Sequence, residues 1–65
     1  MERVIAFGAG NFYMSKKEEI ERAYDIVAFC DNAIEKQGTL FDNKPVISLA
    51  QSDEYGKISF LITST

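Results

Sequence analysis

The sequence predicts an α/β domain with a parallel sheet of about four strands, one main helix and one short helix. Three continuous apolar runs, at residues 4–7, 26–30 and 58–62, each stop at a glycine or a polar residue. Such runs are typical of strands buried on both faces, as in parallel sheets. A shorter run at 45–48 opens with proline, which predicts a short edge strand.

The main helix is predicted between the first two strands, over residues 11–24. Its apolar residues recur at helical spacing, but Lys17 interrupts the apolar face. Two starting points compete: Asn11 caps a helix that begins directly after the glycines, or Ser15 and Glu18 form a capping box for a later start. We favour the start at Asn11.

The second half of the chain predicts less regular structure. Residues 32–45 contain glycine, proline and two asparagines, which is typical of a connection with at most one helical turn. Residues 49–55 predict two helical turns that end at Gly56. Because crossovers between parallel strands are right-handed, the expected strand order is 3-2-1-4, which is half of a doubly wound fold.

Composition narrows the class of protein. The chain has 65 residues and a formal net charge of −3, and Lys16 and Lys17 run directly into glutamates. This pattern argues against a nucleic-acid or anionic-membrane surface, which needs a basic patch. No apolar run approaches the ~18 residues of a membrane span. The sequence has no histidine, which excludes most zinc sites and the Ser-His and Cys-His pairs of nucleophilic enzymes. Its single cysteine, Cys30, lies in an apolar run and is expected to be a buried free thiol, which fits a reducing cytosol.

A ligand crevice is predicted at the carboxyl ends of the strands, where the strand order reverses. It would be lined by residues 8–11, 31–32 and 63–64. Gly8 permits a positive φ at a tight turn, and Gly10, which has no side chain, lets a pyrophosphate approach the backbone. The free backbone N–H groups at the N-terminus of the following helix would bind that anion. The third glycine of the dinucleotide pattern is replaced by Tyr13, which argues against NAD.

Asp31 ends the second predicted strand, where dinucleotide folds keep the carboxylate that binds ribose. Asp31 and Asn32 are equally consistent with a turn in which the Asp31 side chain bonds its own backbone. Both interpretations stay open. The hydroxyls of Thr63 and Ser64 are candidates for phosphate or ribose contacts, although we favour solvated residues at the chain end.

The remaining polar residues suggest no catalytic or metal site. Asp42, Asp53 and Glu54 fall in a predicted loop and an exposed helix. Phe12 and Tyr13 are expected to be core or rim aromatics rather than a platform for stacking a base.

Four segments together resemble a known bacterial module: V-I-A-F-G-A-G-N-F-Y, I-V-A-F-C-D-N, K-Q-G-T-L-F-D-N-K-P-V-I-S and I-S-F-L-I-T-S. The chain resembles the Rossmann-like domain of surface-polysaccharide enzymes, which include glycosyltransferases, sugar acyltransferases and some methyltransferases. The resemblance implies a Rossmann-like half-domain that binds a nucleotide or nucleotide-sugar. It implies five ligand contacts, namely Gly8, Gly10, Asn11, Asp31 and Asn32.

The expected function is therefore a nucleotide-sugar-binding module of a bacterial enzyme of polysaccharide biosynthesis. Residues 1–65 would form one cytoplasmic domain of a larger transferase, without catalytic residues of its own. Two alternatives stay open: an NAD(P)-binding half-domain of an oxidoreductase, and a non-catalytic interaction or scaffold module. An exposed apolar strand at 58–62 predicts a homodimer or edge-strand pairing with a partner.

Overall fold

The computed structural model describes residues 1–63 as a five-stranded sheet with an α-helix on one face and a 3-10 helix on the other. In chain order the elements are β1 (Glu2–Phe7), α1 (Asn11–Ala23), β2 (Tyr24–Cys30), β3 (Leu40–Phe41), β4 (Lys44–Ile47), the 3-10 helix (Ala50–Tyr55) and β5 (Ser59–Ile62). The predicted α/β class, with one main and one short helix, is confirmed.

The sheet is mixed, so the prediction of a purely parallel sheet of about four strands is wrong. Its order is β3-β4-β2-β1-β5, and the four parallel strands have the neighbours that the order 3-2-1-4 predicts. The additional strand β3 pairs antiparallel with β4. A two-residue turn at Asp42 and Asn43 joins them, and both residues have positive φ, as a type I′ hairpin turn requires. Because β3 covers it, β4 is not an edge strand.

Helix α1 begins at Asn11, directly after the glycines, so the favoured starting point is confirmed. Gly10 rather than Asn11 occupies the N-cap position, and no side chain caps the helix. Ser15 lies inside the helix, where its hydroxyl donates to the carbonyl oxygen of Phe12. The helix ends at Ala23 because Tyr24 already has extended backbone and starts β2.

An aromatic cluster joins α1 to the sheet. The ring of Tyr13 is fully buried and meets Phe29 edge-to-face, with centroids 4.8 Å apart. Phe41 of β3 packs edge-to-face on Phe29 in turn, at 4.9 Å. Aromatic pairs in this geometry each contribute about 0.5–1.5 kcal/mol beyond the area they bury. Tyr13 is therefore a core residue and Phe12 a partly exposed rim residue, as predicted.

The opposite face of the sheet has a second, smaller core of Ile5, Ala28, Cys30 and Ile47. The 3-10 helix covers part of this core through Tyr55. A reciprocal pair of hydrogen bonds between Ser48 and Gln51 fixes the start of that helix, and Gly56 ends it with a φ of 70°. Burial raises the pKa of the Cys30 thiol, as expected for a small buried side chain.

Strand β5 forms one edge of the sheet, and its apolar side chains are partly exposed. Phe60 is 39% exposed and Ile62 is 64% exposed. Within residues 1–63, no helix has the length and apolar character needed to cross a membrane.

Candidate functional site

A cleft of about 290 Å³ opens at the carboxyl ends of β1, β2 and β5. From β1 the chain passes to β2, which lies on one flank of β1, and from β4 it passes to β5, which lies on the other flank. The strand order therefore reverses at β1. This is the position at which open α/β sheets bind ligands. The cleft is lined by Gly8, Ala9, Gly10, Asn11, Phe12, Asp31, Lys36 and Thr63.

The glycine turn forms one wall of the cleft. Gly8 has a φ of 117°, a conformation that side chains rarely adopt, and its N–H donates to the carbonyl oxygen of Cys30 at 2.9 Å. Gly10 has an extended φ of −167°, and a Cβ placed there would meet nothing within 4 Å. The open space in front of Gly10 therefore belongs to the cleft rather than to the packed interior.

Helix α1 directs its N-terminus at this space. The N–H of Met14 donates to the carbonyl oxygen of Gly10 at 3.2 Å and so closes the first turn. The N–H groups that precede Met14 in the helix have no intrahelical acceptor, and the helix dipole favours negative charge at this end. The wall formed by Gly10, Asn11 and Phe12 is thus suited to an anion.

Asp31 holds the opposite wall by three polar contacts. Its Oδ2 accepts a hydrogen bond from the N–H of Ala9 at 3.1 Å, and its Oδ1 accepts one from the N–H of Ala33 at 2.9 Å. The ammonium group of Lys36 lies 3.8 Å from Oδ2. The hydrogen bond from Ala33, together with the one from Ala9 and the charge of Lys36, lowers the pKa of Asp31 below its usual range. The carboxylate is therefore ionised at neutral pH, and the turn interpretation of Asp31 is confirmed.

Lys36 is a cleft residue that the sequence-based prediction missed. Its Nζ donates to the carbonyl oxygen of Ala9 at 3.0 Å, and its side chain is 47% exposed. The loop that carries it is anchored to the end of β2 by Gln37, whose amide donates to the carbonyl oxygen of Asp31 at 2.8 Å. The only available signal was the K-Q-G segment, which stood out in the resemblance but carried no assigned contact.

Thr63 is buried rather than solvated, so the favoured expectation for this residue is wrong. Its hydroxyl lies 2.8 Å from the carbonyl oxygen of Gly8 and 3.1 Å from that of Phe7, and its N–H donates to Phe7 as well. These bonds tie the end of β5 to the glycine turn. Thr63 therefore supports the floor of the cleft with a hydroxyl that is already bonded.

The other predicted contacts have different positions. Asn11 is exposed on the rim of the cleft, whereas Asn32 is exposed outside its lining. Ser64 lies outside the described residues.

Tyr13 does not line the cleft, because its side chain is buried in the core between α1 and the sheet. Its hydroxyl donates to Asp42 Oδ2 at 3.1 Å, while Lys17 donates to Asp42 Oδ1 at 2.7 Å. Burial, followed by the bond to Asp42, raises the pKa of Tyr13 far above its usual value. Lys17, which interrupts the apolar face of α1 in the sequence, therefore has a structural partner in the β3–β4 turn.

The arrangement of the cleft is suited to binding. It offers backbone N–H groups and one ammonium group to an anion, and one ionised carboxylate to a hydroxyl. Among residues 1–63, no group of three or more acidic, histidine or cysteine side chains is placed to hold a metal ion.

Fold and cleft together define a small α/β domain with an open cleft at the carboxyl edge of its sheet. The chain belongs to the C2185-like family, because the family model described as "C2185-like, N-terminal" matches it over residues 1–65. Neither a curated protein nor a solved structure matches the chain.

Proposed function

We infer that this chain is a nucleotide-binding module with a Rossmann-like half-domain fold, and that its ligand is a nucleotide-sugar. One observation carries the proposal: the glycine turn and the N-terminus of α1 open into the same cleft as Asp31 and Lys36. Groups that bind a diphosphate and a group that binds ribose hydroxyls thus face one space, at the switch point of the sheet.

The diphosphate would lie at the start of α1. Gly10 carries no side chain there, and the helix N–H groups supply hydrogen-bond donors. Lys36 adds a positive charge beside Ala9. A half-exposed ammonium group can turn from the carbonyl oxygen of Ala9 to a phosphate oxygen by a rotation of its own side chain.

The ribose would lie toward Asp31. Each carboxylate oxygen of Asp31 accepts one backbone N–H and keeps a second lone pair for a ligand hydroxyl. The exposed side chain of Asn11 lies on the rim of the same cleft. Asp31 would therefore have two roles, since it holds the turn and also contacts the ligand.

A ligand with a single nucleotide unit, such as a nucleotide-sugar, fits better than the dinucleotide NAD(P). A volume of about 290 Å³ lies just below the usual range of small-molecule pockets, roughly 300–1,000 Å³. The third glycine of dinucleotide-binding folds allows a helix to pack closely on its strand, whereas Tyr13 fills that position with a buried ring. The NAD(P)-binding half-domain thus remains the weaker alternative.

The resemblance to surface-polysaccharide enzymes supplies the biological context of the proposal. The module would belong to a cytoplasmic bacterial transferase of the glycosyltransferase type. It would bind and orient the nucleotide-sugar, while a separate part of the enzyme performs the transfer.

A scaffold role is the second candidate, and one observation favours it. Both oxygens of Asp31 and the hydroxyl of Thr63 are already bonded within the fold. Groups with internal partners can stabilise a turn without any ligand.

Isothermal titration calorimetry tests the proposal with a panel of UDP-sugars, CDP-glycerol, NAD(H) and uridine. A UDP-sugar should bind, uridine should bind much more weakly, and NAD(H) should not compete. Substituting Lys36→Gln should weaken UDP-sugar binding about ten- to hundredfold, because a hydrogen bond to a charged group contributes ~1.5–3 kcal/mol. The exposed Lys57 provides the matched control, and Lys57→Gln should leave the affinity unchanged. Absence of binding by every ligand at millimolar concentration would leave the scaffold role.

A further inference from the structure

Phe12 is an aromatic residue of the cleft that lies outside both core clusters. The chain has three tyrosines and five phenylalanines, and six of these eight residues belong to or pack against one of the two clusters. The other two are Phe12, which is 38% exposed, and Phe60, which is 39% exposed. Of these two, Phe12 lines the cleft and Phe60 does not. The ring of Phe12 therefore offers apolar surface to a ligand in the cleft.

The direction of the Phe12 side chain follows from that of Tyr13, the next residue of α1. The Tyr13 ring meets Phe29 of β2 and Phe41 of β3, at centroid distances of 4.8 and 6.0 Å, so it points toward the β2 flank of the helix. Successive helix residues are turned by about 100°, and in a right-handed β1–α1–β2 crossover this rotation runs from β1 to β2 across the side that faces the sheet. Phe12 is therefore turned back toward β1 and β5, and it lines the cleft together with Thr63, which follows β5.

The order of the groups in a nucleotide-sugar decides which of them reaches Phe12. Covalent bonds join the base to the ribose, the ribose to the diphosphate and the diphosphate to the sugar. The proposed function assigns the ribose to Asp31 at the end of β2, and the diphosphate to the glycine turn at the end of β1. Strand β5 is the next strand in this direction across the sheet, so the sugar follows on the side of Phe12. The base lies at the other end, beyond Asp31.

We propose that Phe12 packs against the pyranose ring of the bound nucleotide-sugar, an inference that rests on the proposed function. One face of a pyranose carries C–H groups, and an aromatic ring that covers them removes apolar surface from water. The hydroxyl of Thr63, on the same side of the cleft, already bonds to the carbonyl oxygens of Phe7 and Gly8. The contribution of the sugar to the affinity therefore comes in large part from the ring of Phe12.

Calorimetric titration of Phe12→Leu with UDP-glucose and with UDP tests the proposal. Leucine keeps an apolar side chain but removes the aromatic ring, so the affinity for UDP-glucose should fall about fivefold while that for UDP stays within about twofold. Phe12→Tyr keeps the ring and should keep both affinities. Phe60→Leu is the matched control, because the Phe60 ring is equally exposed but lies outside the cleft, and it should leave both affinities unchanged. In the unsubstituted protein, an intermolecular NOE should join the Phe12 ring protons to the glucose protons.

Three results would overturn the sugar contact, and they differ in what they mean for the proposed function. An equal loss of affinity for UDP-glucose and UDP would place Phe12 against the base or the diphosphate. Unchanged affinity of Phe12→Leu for both ligands, or the absence of the NOE at saturating UDP-glucose, would leave nucleotide binding intact without a role for the ring. Binding of neither ligand by the unsubstituted protein would contradict the proposed function itself, and the sugar contact with it.

Discussion

The carboxylate of Asp31 accepts a hydrogen bond from the backbone N–H of Ala9 at a distance of 3.1 Å. This bond joins the end of β2 to the middle of the glycine turn, across 22 residues of sequence. The same side chain accepts a bond from Ala33 and so shapes the start of the loop that carries Lys36. Asp31 therefore organises both walls of the cleft, whether or not it also contacts a ligand.

Substitution of Asp31→Asn should destabilise the domain. The amide oxygen can replace only one of the two carboxylate acceptors, so the N–H of Ala9 or Ala33 loses its partner. The cost should be about 1–3 kcal/mol, the usual penalty for an unpaired backbone group. Urea unfolding at pH 7 measures it, with Asp25→Asn as the control because Asp25 is exposed on β2. Equal stability of the two variants would show that the bonds of Asp31 do not hold the turn.

The two glycines of the turn should respond differently to alanine. Gly8→Ala places a Cβ at a φ of 117° and should cost about 1–3 kcal/mol of stability. Gly10→Ala has an extended backbone and open space for the Cβ, so it should cost less than Gly8→Ala, about 0.5–1 kcal/mol, because glycine is preferred over alanine at an N-cap.

Ligand binding separates these variants further. If a diphosphate lies against Gly10, the added methyl group should weaken UDP-sugar binding at least tenfold in a domain that remains folded. Thermal unfolding and calorimetry on the same samples provide both measurements. If Gly10→Ala binds a UDP-sugar as tightly as the unsubstituted protein does, the phosphates do not lie against the glycine turn.

Tyr13→Phe should retain the aromatic packing but lose the hydrogen bond to Asp42. The expected cost is about 1.5–3 kcal/mol at pH 7, because the lost hydrogen bond goes to an ionised carboxylate. Because the pKa of Tyr13 is raised in the fold, its neutral form stabilises the fold fully below the unfolded value of 10.0, and this stability is lost as the pH rises above it. Tyr13→Phe should therefore lose less stability than the unsubstituted protein between pH 9 and pH 11.

Tyr24→Phe is the control for Tyr13, since no hydrogen bond is made by the Tyr24 hydroxyl within residues 1–63. Identical alkaline profiles for Tyr13→Phe and the unsubstituted protein would contradict the assigned role of the buried hydroxyl.

Acid should weaken the attachment of α1 to the β3–β4 turn. The hydrogen bond from Lys17, followed by the one from Tyr13, lowers the pKa of Asp42 below its ordinary 3.8. A lowered pKa stabilises the fold above the unfolded value, and that stability is lost as the pH falls through the folded one. Urea unfolding between pH 5 and pH 2 should show a smaller loss for Asp42→Asn than for the unsubstituted protein. The exposed Asp53 supplies the control substitution, Asp53→Asn, which should retain the full loss.

The elements that the sequence predicted are those whose signal is local. The apolar runs of β1, β2 and β5 and the glycines before α1 each define an element without reference to the rest of the chain. Strand β3 was missed because two residues carry no periodicity, and its pairing depends on the turn at Asp42 and Asn43. In the sequence, Lys17 only interrupts the apolar face of the helix, because its partner, Asp42, is 25 residues away.

The cleft shows the same division. The turn at Gly8 and Gly10 and the acidic end of β2 could be predicted because each follows an apolar run directly. The contribution of Lys36 could not, since its position depends on a loop folding back onto Ala9. The burial of Thr63 depends on the register between β5 and β1, which the sequence alone does not define.

Amide NMR of the domain during titration with a UDP-sugar tests ligand binding at this cleft most directly. A nucleotide-sugar at the cleft predicts saturable shifts at Gly10, Asn11 and Asp31, with little change at Lys57 on the exposed segment before β5. NAD(H) at equal concentration should leave the same resonances in place. Unshifted resonances at Gly10 and Asn11 in a folded sample at millimolar UDP-sugar would contradict nucleotide-sugar binding.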